Sequence, residues 1–389
     1  MQEVRLRPGH EERVRRGHLW VFSNELQELP RISPGSLVRV RSCTGDSFGV
    51  GLYNPHSLIT VRLLQTEAEE LDVEFFAERI ERALTLRQRL CPGESMYRLV
   101  YGEADFLPGL IVDRYGDYLA VQTLSIGMDL RLPLIVEALR HVMPQVRGIV
   151  EKNHSRLREL EQLPQRQSIL YGTVPEQLVL EEFGLQLEVR LLEGQKTGAY
   201  LDQRYHRALT GRLARGLRVL DCFTYCGGFA LHAGLHGAAE VLGIDSSASA
   251  VECARRNAAL NGLHHVHFHE ADVFAFLREQ VSRGARWDMV ILDPPAFAKS
   301  RRHVPAAKRG YAELNRLALS LIPPGGYLVT SSCSHHVFEA VFLELIFTEA
   351  ARLGRQLRLL YRGTQPPDHP ILLSMPETQY LKFFLFAVL

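Results

Sequence analysis

The 389-residue sequence has no apolar run of the roughly 20 residues that a membrane-crossing helix needs. Its first ten residues, Met1 to His10, carry charges where a secretion signal requires an apolar stretch, so no export is expected. Cysteine is sparse: Cys43, Cys91, Cys222, Cys226, Cys253 and Cys333 are too few to staple a chain of this length, and they are expected as thiols in a reducing cytoplasm. A dominant charge is missing too. Forty-five Lys and Arg against 44 Asp and Glu leave a net of +1, so composition points to no nucleic-acid partner, and any such claim falls to local patches. There is no internal repeat and no low-complexity segment. What is present, 46% hydrophobic and 23% charged residues, excludes disordered and fibrous chains, and the length asks for two or three domains.

Local patterns divide the chain. Up to about residue 66, short alternating runs such as Leu37-Val38-Arg39-Val40 and Leu58 to Leu63 are separated by turn signals at Pro34-Gly35, Thr44-Gly45-Asp46 and Asn54-Pro55, which reads as a small β-barrel or sandwich. In its first sixteen residues Arg5, Arg7, Arg13, Arg15 and Arg16 crowd beside Trp20 and Phe22, a pattern that suits phosphate contact or a solvated basic face. Val73, Phe76, Ile80, Ala83, Leu84 and Arg87 follow helical spacing, and Gly102 to Gln122 reads as strand, turn and strand, so a mixed α+β segment is expected. From Leu217 onward apolar strands alternate with amphipathic helices, the signature of βαβ units on a mainly parallel sheet. The expected domains are 1–67, 68–185 and 186–389.

The third segment carries a ligand-binding pattern. Strand Leu217 to Asp221 runs into Cys222-Phe223-Thr224-Tyr225-Cys226-Gly227-Gly228-Phe229 before a helix, and paired glycines with a helix N-terminus suit close approach of an anionic group. The second strand ends at Asp245, placed to receive ribose hydroxyls, with Ser246 expected to cap the next helix. Strands three and four end at Asp272, followed by Val273, and at Asp293. Acids thus recur at the carboxyl ends of strands, the edge where doubly wound sheets bind ligands. The loop lacks G-x-G-x-x-G, which disfavours NAD, and Gly194-Gln195-Lys196-Thr197-Gly198 lacks the spacing of a phosphate loop, which disfavours ATP and GTP. Cys222, Cys226, His232 and His236 have zinc-like spacing, but the cysteines lie in the ligand loop, so no metal is expected.

Asp293-Pro294-Pro295-Ala296-Phe297 offers an acid for the edge of a planar base and a ring for its face, as in nucleic-acid methyltransferases. The fifth strand, Gly325 to Ser331, delivers Ser332-Cys333-Ser334-His335-His336 to the same edge. C5 of a pyrimidine is a poor nucleophile until a thiolate adds at C6, and Cys333 is the element for that step, its pKa open to lowering by the histidines and by a helix starting near Val337. Lys196, Tyr200, Asp202, Gln203 and Arg204, in GQKTGAYLDQR, form a polar cluster suited to closing over a cofactor or positioning substrate.

Together these stretches resemble the bacterial large-subunit ribosomal RNA cytosine-C5 methyltransferases that carry an N-terminal PUA domain. The matching segments are GHLWVFSNE (17–25), YRLVYGEADFLPGLIVDRYGDYL (97–119), GQKTGAYLDQR (194–204), LDCFTYCGGFALH (220–232), ILDPPAFAKS (291–300), SSCSHH (331–336) and YLKFF (380–384). The resemblance spans nearly the whole chain. It implies an α/β protein with a doubly wound, Rossmann-like class I methyltransferase sheet, preceded by a small β-barrel PUA domain that binds RNA and a central α+β domain. It implies S-adenosyl-L-methionine as cofactor, Cys333 as nucleophile and Asp293 as the acid holding the base. Asp221, Phe223, Tyr225, Gly227, Gly228, Asp245, Ser246, Asp272, Val273, Asp293, Tyr200, Asp202 and Arg204 are the expected cofactor residues. Pro294, Pro295, Phe297, Lys196, Arg13, Arg16 and Trp20 are expected to face substrate.

Two positions depart from related enzymes: Ala296 stands where many have a second cysteine that helps release product, and the lysine near the Pro-Pro pair falls at Lys299. The expected partner is large-subunit ribosomal RNA, with no membrane and with a homodimer left open. Two rivals remain: a ribosomal RNA methyltransferase acting on an exocyclic amine or guanine N7 without a thiolate, and a non-catalytic RNA-binding protein on the same fold, against which the full set of acids argues.

Overall fold

The computed structural model describes residues 1–194, 197–298 and 300–389, which form two compact units. The first comprises residues 1–180, 189–201 and 367–378; the second comprises 181–188, 202–366 and 379–389. Among the described residues no helix is long and apolar enough to cross a membrane.

The first unit holds two five-stranded sheets. One joins Gln2–Arg5, Leu37–Arg41, Ser47–Tyr53, Ile59–Leu63 and Trp20–Phe22, in that spatial order. Alternation along Leu37–Arg41 turns Val38 and Val40 into a core with Leu6, Val21 and Val61, as period-2 patterning requires. Met375, from 367–378, lies in the same core. The second sheet runs Arg166–Gly172, Gly148–Asn153, Tyr118–Thr123, Leu110–Tyr115 and Met96–Tyr101. Helix Val73–Leu90 buries Phe76, Ile80 and Ala83 in its core, with Asp72 capping the first turn through the Phe75 amide. The sequence reading put Gly102 in a strand. It opens a 3-10 turn, Gly102–Asp105, with φ of +45°, before the strands Leu110–Tyr115 and Tyr118–Thr123.

The second unit is a seven-stranded sheet, its strands numbered here in chain order: β1 Arg218–Cys222, β2 Glu240–Asp245, β3 Val266–Glu270, β4 Met289–Leu292, β5 Tyr327–Ser332, β6 Leu357–Gly363 and β7 Lys382–Val388. Their spatial order is 3-2-1-4-5-7-6, parallel except for β7, which runs antiparallel to both β5 and β6. Central strands read as unbroken apolar runs because helices cover both faces; every residue of β4 is buried. The helices are α1 Arg204–Arg212, α2 Gly228–Leu235, α3 Ala248–Leu260, α4 Val273–Ser282, α5 Val304–Leu321 and α6 Glu339–Arg352. Strand order reverses between β1 and β4, so a crevice opens at their carboxyl ends. Ser247, not Ser246, caps α3, accepting from the Ala250 amide at 3.3 Å; the chain takes one more residue than expected to clear Asp245. Likewise α6 starts at Glu339 rather than near Val337, which is buried in the core.

Candidate active site

The acids at the strand ends have different surroundings. Asp221 is fully buried: its Oδ2 accepts from Thr224 Oγ1 at 2.5 Å and from the Ala230 amide at 3.0 Å, while its Oδ1 has no partner among the described residues. Burial pushes its carboxyl up to about 7 against those two hydrogen bonds, with the charges of Asp293 and Asp245 adding to the rise. One of the α2 amides expected to meet an anion is therefore already held by Asp221. Asp245 accepts from the Tyr225 and Ser247 amides, each at 2.9 Å, and so ties the glycine loop to the end of β2. Asp272 caps α4, accepting from the Ala275 amide at 2.8 Å, and Val273 is buried behind it.

The loop after β1 is strained. Phe223 and Tyr225 hold φ of +64° and +50°, a region costly for side chains of their size and found where a site over-determines the backbone. Gly227, with φ of +88°, is N-cap of α2; a Cβ there would lie 2.9 Å from Phe268 Cζ. A Cβ on Gly228 would collide with the Arg207 side chain. These glycines are thus required by the helix–sheet packing behind the loop. Arg207 is fixed in turn by Glu182, donating from Nε at 2.8 Å and from Nη2 at 2.5 Å.

Asp293, half-buried after β4, accepts on Oδ1 from Gln203 Nε2 at 2.8 Å and from Ser331 Oγ. Gln203 Oε1 is 2.7 Å from His206 Nδ1. Burial lowers the His206 imidazole to about 4 and the ring stacks on Phe383 at 3.9 Å, so the ring is neutral; Asp293, which only accepts, turns the amide Nε2 toward itself and leaves Oε1 to accept from Nδ1. Asp202 is buried and accepts from Tyr380 Oη at 2.7 Å; Arg204, also buried, stacks its guanidinium over Tyr205.

Cys333 follows β5 with its Sγ 4.0 Å from the Pro294 carbonyl, which sets the thiol beside the Asp293-Pro294-Pro295 turn. Ser332 and Ser334 on either side meet the Tyr311 hydroxyl, each at 3.0 Å. Phe297 packs its ring on Tyr311 with centroids 4.7 Å apart and leaves part of its surface exposed, while Pro294 is buried and Pro295 exposed. Cys333 and Asp293 are thus brought to the ends of adjacent strands, as the motif spacing led one to expect. Tyr311 and Lys382 went unnoticed as contributors because hydrophobic periodicity reads the first as core and the second as part of a strand.

The remaining expected residues lie in the first unit. Arg13 donates from Nη2 to both Glu25 oxygens at 2.7 Å and stacks over Phe22, bracing the small sheet, and Trp20 Nε1 donates to Glu103 at 2.8 Å, tying that sheet to the Gly102–Asp105 turn. Arg16 is the exposed member, paired with Glu12 across one helical turn. Arg13, Arg16, His10 and His18 line a cavity of about 730 Å³ together with Glu25 and Glu377. Tyr200 is half-buried; Lys196, and Lys299 with it, lie outside the described residues.

The donor set of the second unit suits S-adenosylmethionine: the orphaned buried Oδ1 of Asp221, the strained loop that follows it, and the Asp245 carboxylate at the end of β2. A family profile described as an S-adenosylmethionine-dependent methyltransferase matches residues 133–386, and one described as a PUA-like domain matches 4–66. Proteins named ribosomal RNA large subunit methyltransferase I are 39% identical to this chain: the one from Shewanella denitrificans over 387 residues, 97% of each chain, and the one from Vibrio cholerae over 391 residues, 98% of each. A solved structure described as a SAM-dependent methyltransferase from Streptococcus mutans shares the fold at a TM-score of 0.87 and 23% identity, over 99% of this chain and 100% of its own. A second, described as a methyltransferase complexed with SAH, matches with the same TM-score of 0.87, identity of 23% and coverage of 99% and 100%.

Proposed function

The chain belongs to the S-adenosylmethionine-dependent methyltransferase family, and on that premise we propose that it methylates C5 of a cytosine in large-subunit ribosomal RNA through a covalent adduct on Cys333. The observation that carries the reading is the thiol's position, 4.0 Å from the Pro294 carbonyl and one strand from Asp293. The names of the relatives support the ribosomal RNA substrate, and the resemblance of the motifs supports cytosine.

S-adenosylmethionine supplies a methyl group on a sulfonium centre. The chain's residues do the rest. Asp221, Asp245 and the loop from Phe223 to Gly228 bind the cofactor. Asp293, oriented by Gln203 and Ser331, grips the base edge, which needs an unstacked nucleotide. The Cys333 thiolate forms a bond to C6, and the displaced electron pair makes C5 nucleophilic enough to take the methyl group as the carbon–sulfonium bond breaks. Loss of the C5 proton to a base then restores the double bond and expels the thiolate. The small N-terminal sheet, with Arg16 exposed beside its cavity, serves to hold RNA through its phosphates.

The test is methyl transfer from labelled S-adenosylmethionine to unmodified ribosomal RNA, wild type against Cys333→Ala, with the labelled nucleoside identified. Label in 5-methylcytosine that vanishes in the variant supports the reading. Label that persists, or that appears on a purine, replaces it with amine or N7 methylation.

A further inference from the structure

Lys382 opens β7, and its side chain is 7% exposed. The antiparallel register pairs it with Ser332, the residue before Cys333, and its Nζ donates to the carbonyl of Ser334, the residue after, at 2.6 Å. Lys382 is therefore held on both sides of the nucleophile, by strand pairing before it and by its ammonium after it. A strand with aromatic and aliphatic residues at its next six positions, Phe383 to Val388, has no packing reason to begin with a buried lysine.

The surroundings explain how the charge survives. Burial lowers Lys382 to about 8, opposed by the negative charges of the Cys333 thiolate and of Glu339 at the start of α6. Glu339 is also paired with Arg362 of β6 at 2.6 Å. From α5 the nearby titratable group is the Tyr311 phenol, which burial pushes up and which stays neutral. His335, expected to depress the thiol, is exposed, with its ring 5.6 Å from Tyr380.

We propose that Lys382 is the positioning residue that keeps Cys333 ionised for attack on the pyrimidine, its ammonium fixed against the nucleophile's own loop. The inference rests on the covalent reading above. A cation beside a cysteine favours the thiolate, and a partly buried one is little screened by salt.

The test reads the thiol directly, with no RNA present. The alkylation rate of Cys333 by iodoacetamide is followed against pH, by mass spectrometry of its peptide, in wild type, Lys382→Gln and Lys382→Arg. Gln retains a donor for the Ser334 carbonyl and removes the charge; Arg retains both. In Lys382→Gln the midpoint of alkylation is expected to rise by about one pH unit or more, with methyl transfer at neutral pH falling roughly tenfold, and Arg is expected to restore both. An unchanged midpoint in Lys382→Gln overturns the proposal. Should that variant lose its fold by circular dichroism, Lys382→Arg decides: a thiol midpoint equal to wild type supports a charge role, and a raised one refutes it. Because the readout needs no methylation, its failure is distinct from that of the covalent mechanism, which the Cys333→Ala assay judges alone.

Discussion

Gln203 stands between two groups that never touch each other, donating from Nε2 to Asp293 at 2.8 Å while its Oε1 lies 2.7 Å from His206 Nδ1. The acid, which only accepts, sets the direction of the amide, and a neutral imidazole stacked on Phe383 supports the amide's other end. Gln203→Leu keeps the approximate volume and removes the donor. A hydrogen bond to a charged group is worth about 1.5–3 kcal/mol, so turnover is expected to fall roughly ten- to a hundredfold. Cofactor affinity by calorimetry should stay near wild type; equal turnover in the variant would remove Gln203 from the site.

RNA carrying 5-fluorocytosine at the target should become covalently attached to wild-type protein in the presence of S-adenosylmethionine. Fluorine cannot leave C5 as a proton does, so the adduct on Cys333 has no exit. The complex should survive denaturing electrophoresis with wild type and be missing with Cys333→Ala. No shifted band in either would remove the covalent step.

Asp221 gives a pH dependence with a definite sign. Its folded carboxyl sits at about 7 against an ordinary 3.8, so between those values the folded state holds a proton that the unfolded state has released. Its contribution to stability is complete below the unfolded pKa and is lost as pH rises through about 7. The whole swing is on the order of 4 kcal/mol at one pKa unit per 1.4 kcal/mol. Urea unfolding of the cofactor-free protein at pH 4.5 and pH 8 should show Asp221→Asn gaining on wild type at the higher pH. Parallel behaviour of the two proteins would mean the carboxyl is ordinary.

Gly227 and Gly284 share a left-handed backbone, with φ of +88° and +66°, but differ in space. Ala at Gly284 meets nothing within 4 Å and should cost only the conformational penalty of about 1 kcal/mol. Ala at Gly227 presses on Phe268 as well, and should cost roughly 3 kcal/mol together with a loss of cofactor affinity. Similar unfolding midpoints for the two variants would contradict the packing role assigned to Gly227.

Much of the second unit was legible because its signals are local. Strand Met289–Leu292 could be placed to the residue, since an apolar run bounded by Asp293-Pro294 has no other reading, and the turn motifs put Cys333 and Asp293 on neighbouring strand ends. What escaped depends on pairing between distant segments. Lys382 gains meaning only from its register with Ser332, and Tyr311 only from reaching Ser332 and Ser334; periodicity carries neither fact. Met375 lies in the core of a sheet whose strands end by residue 63, and no pattern near residue 375 announces it. Arg13 shows another limit: a run of arginines reads as a surface for phosphate or a solvated basic face, and the pattern does not reveal that its guanidinium is bonded to Glu25. Charge density along a sequence does not say which charges already have partners.

One phenol governs the distance between the acid's loop and the nucleophile's. Tyr311 meets the hydroxyls on both sides of Cys333 and also carries the ring of Phe297, four residues past Asp293. Its helix, α5, therefore behaves as the spine of a fixed-gap caliper: a displacement of the spine carries both jaws with it, and the opening between them hardly changes. An aromatic guest between the two jaws therefore meets a gap set by a single side chain rather than by two independent loops.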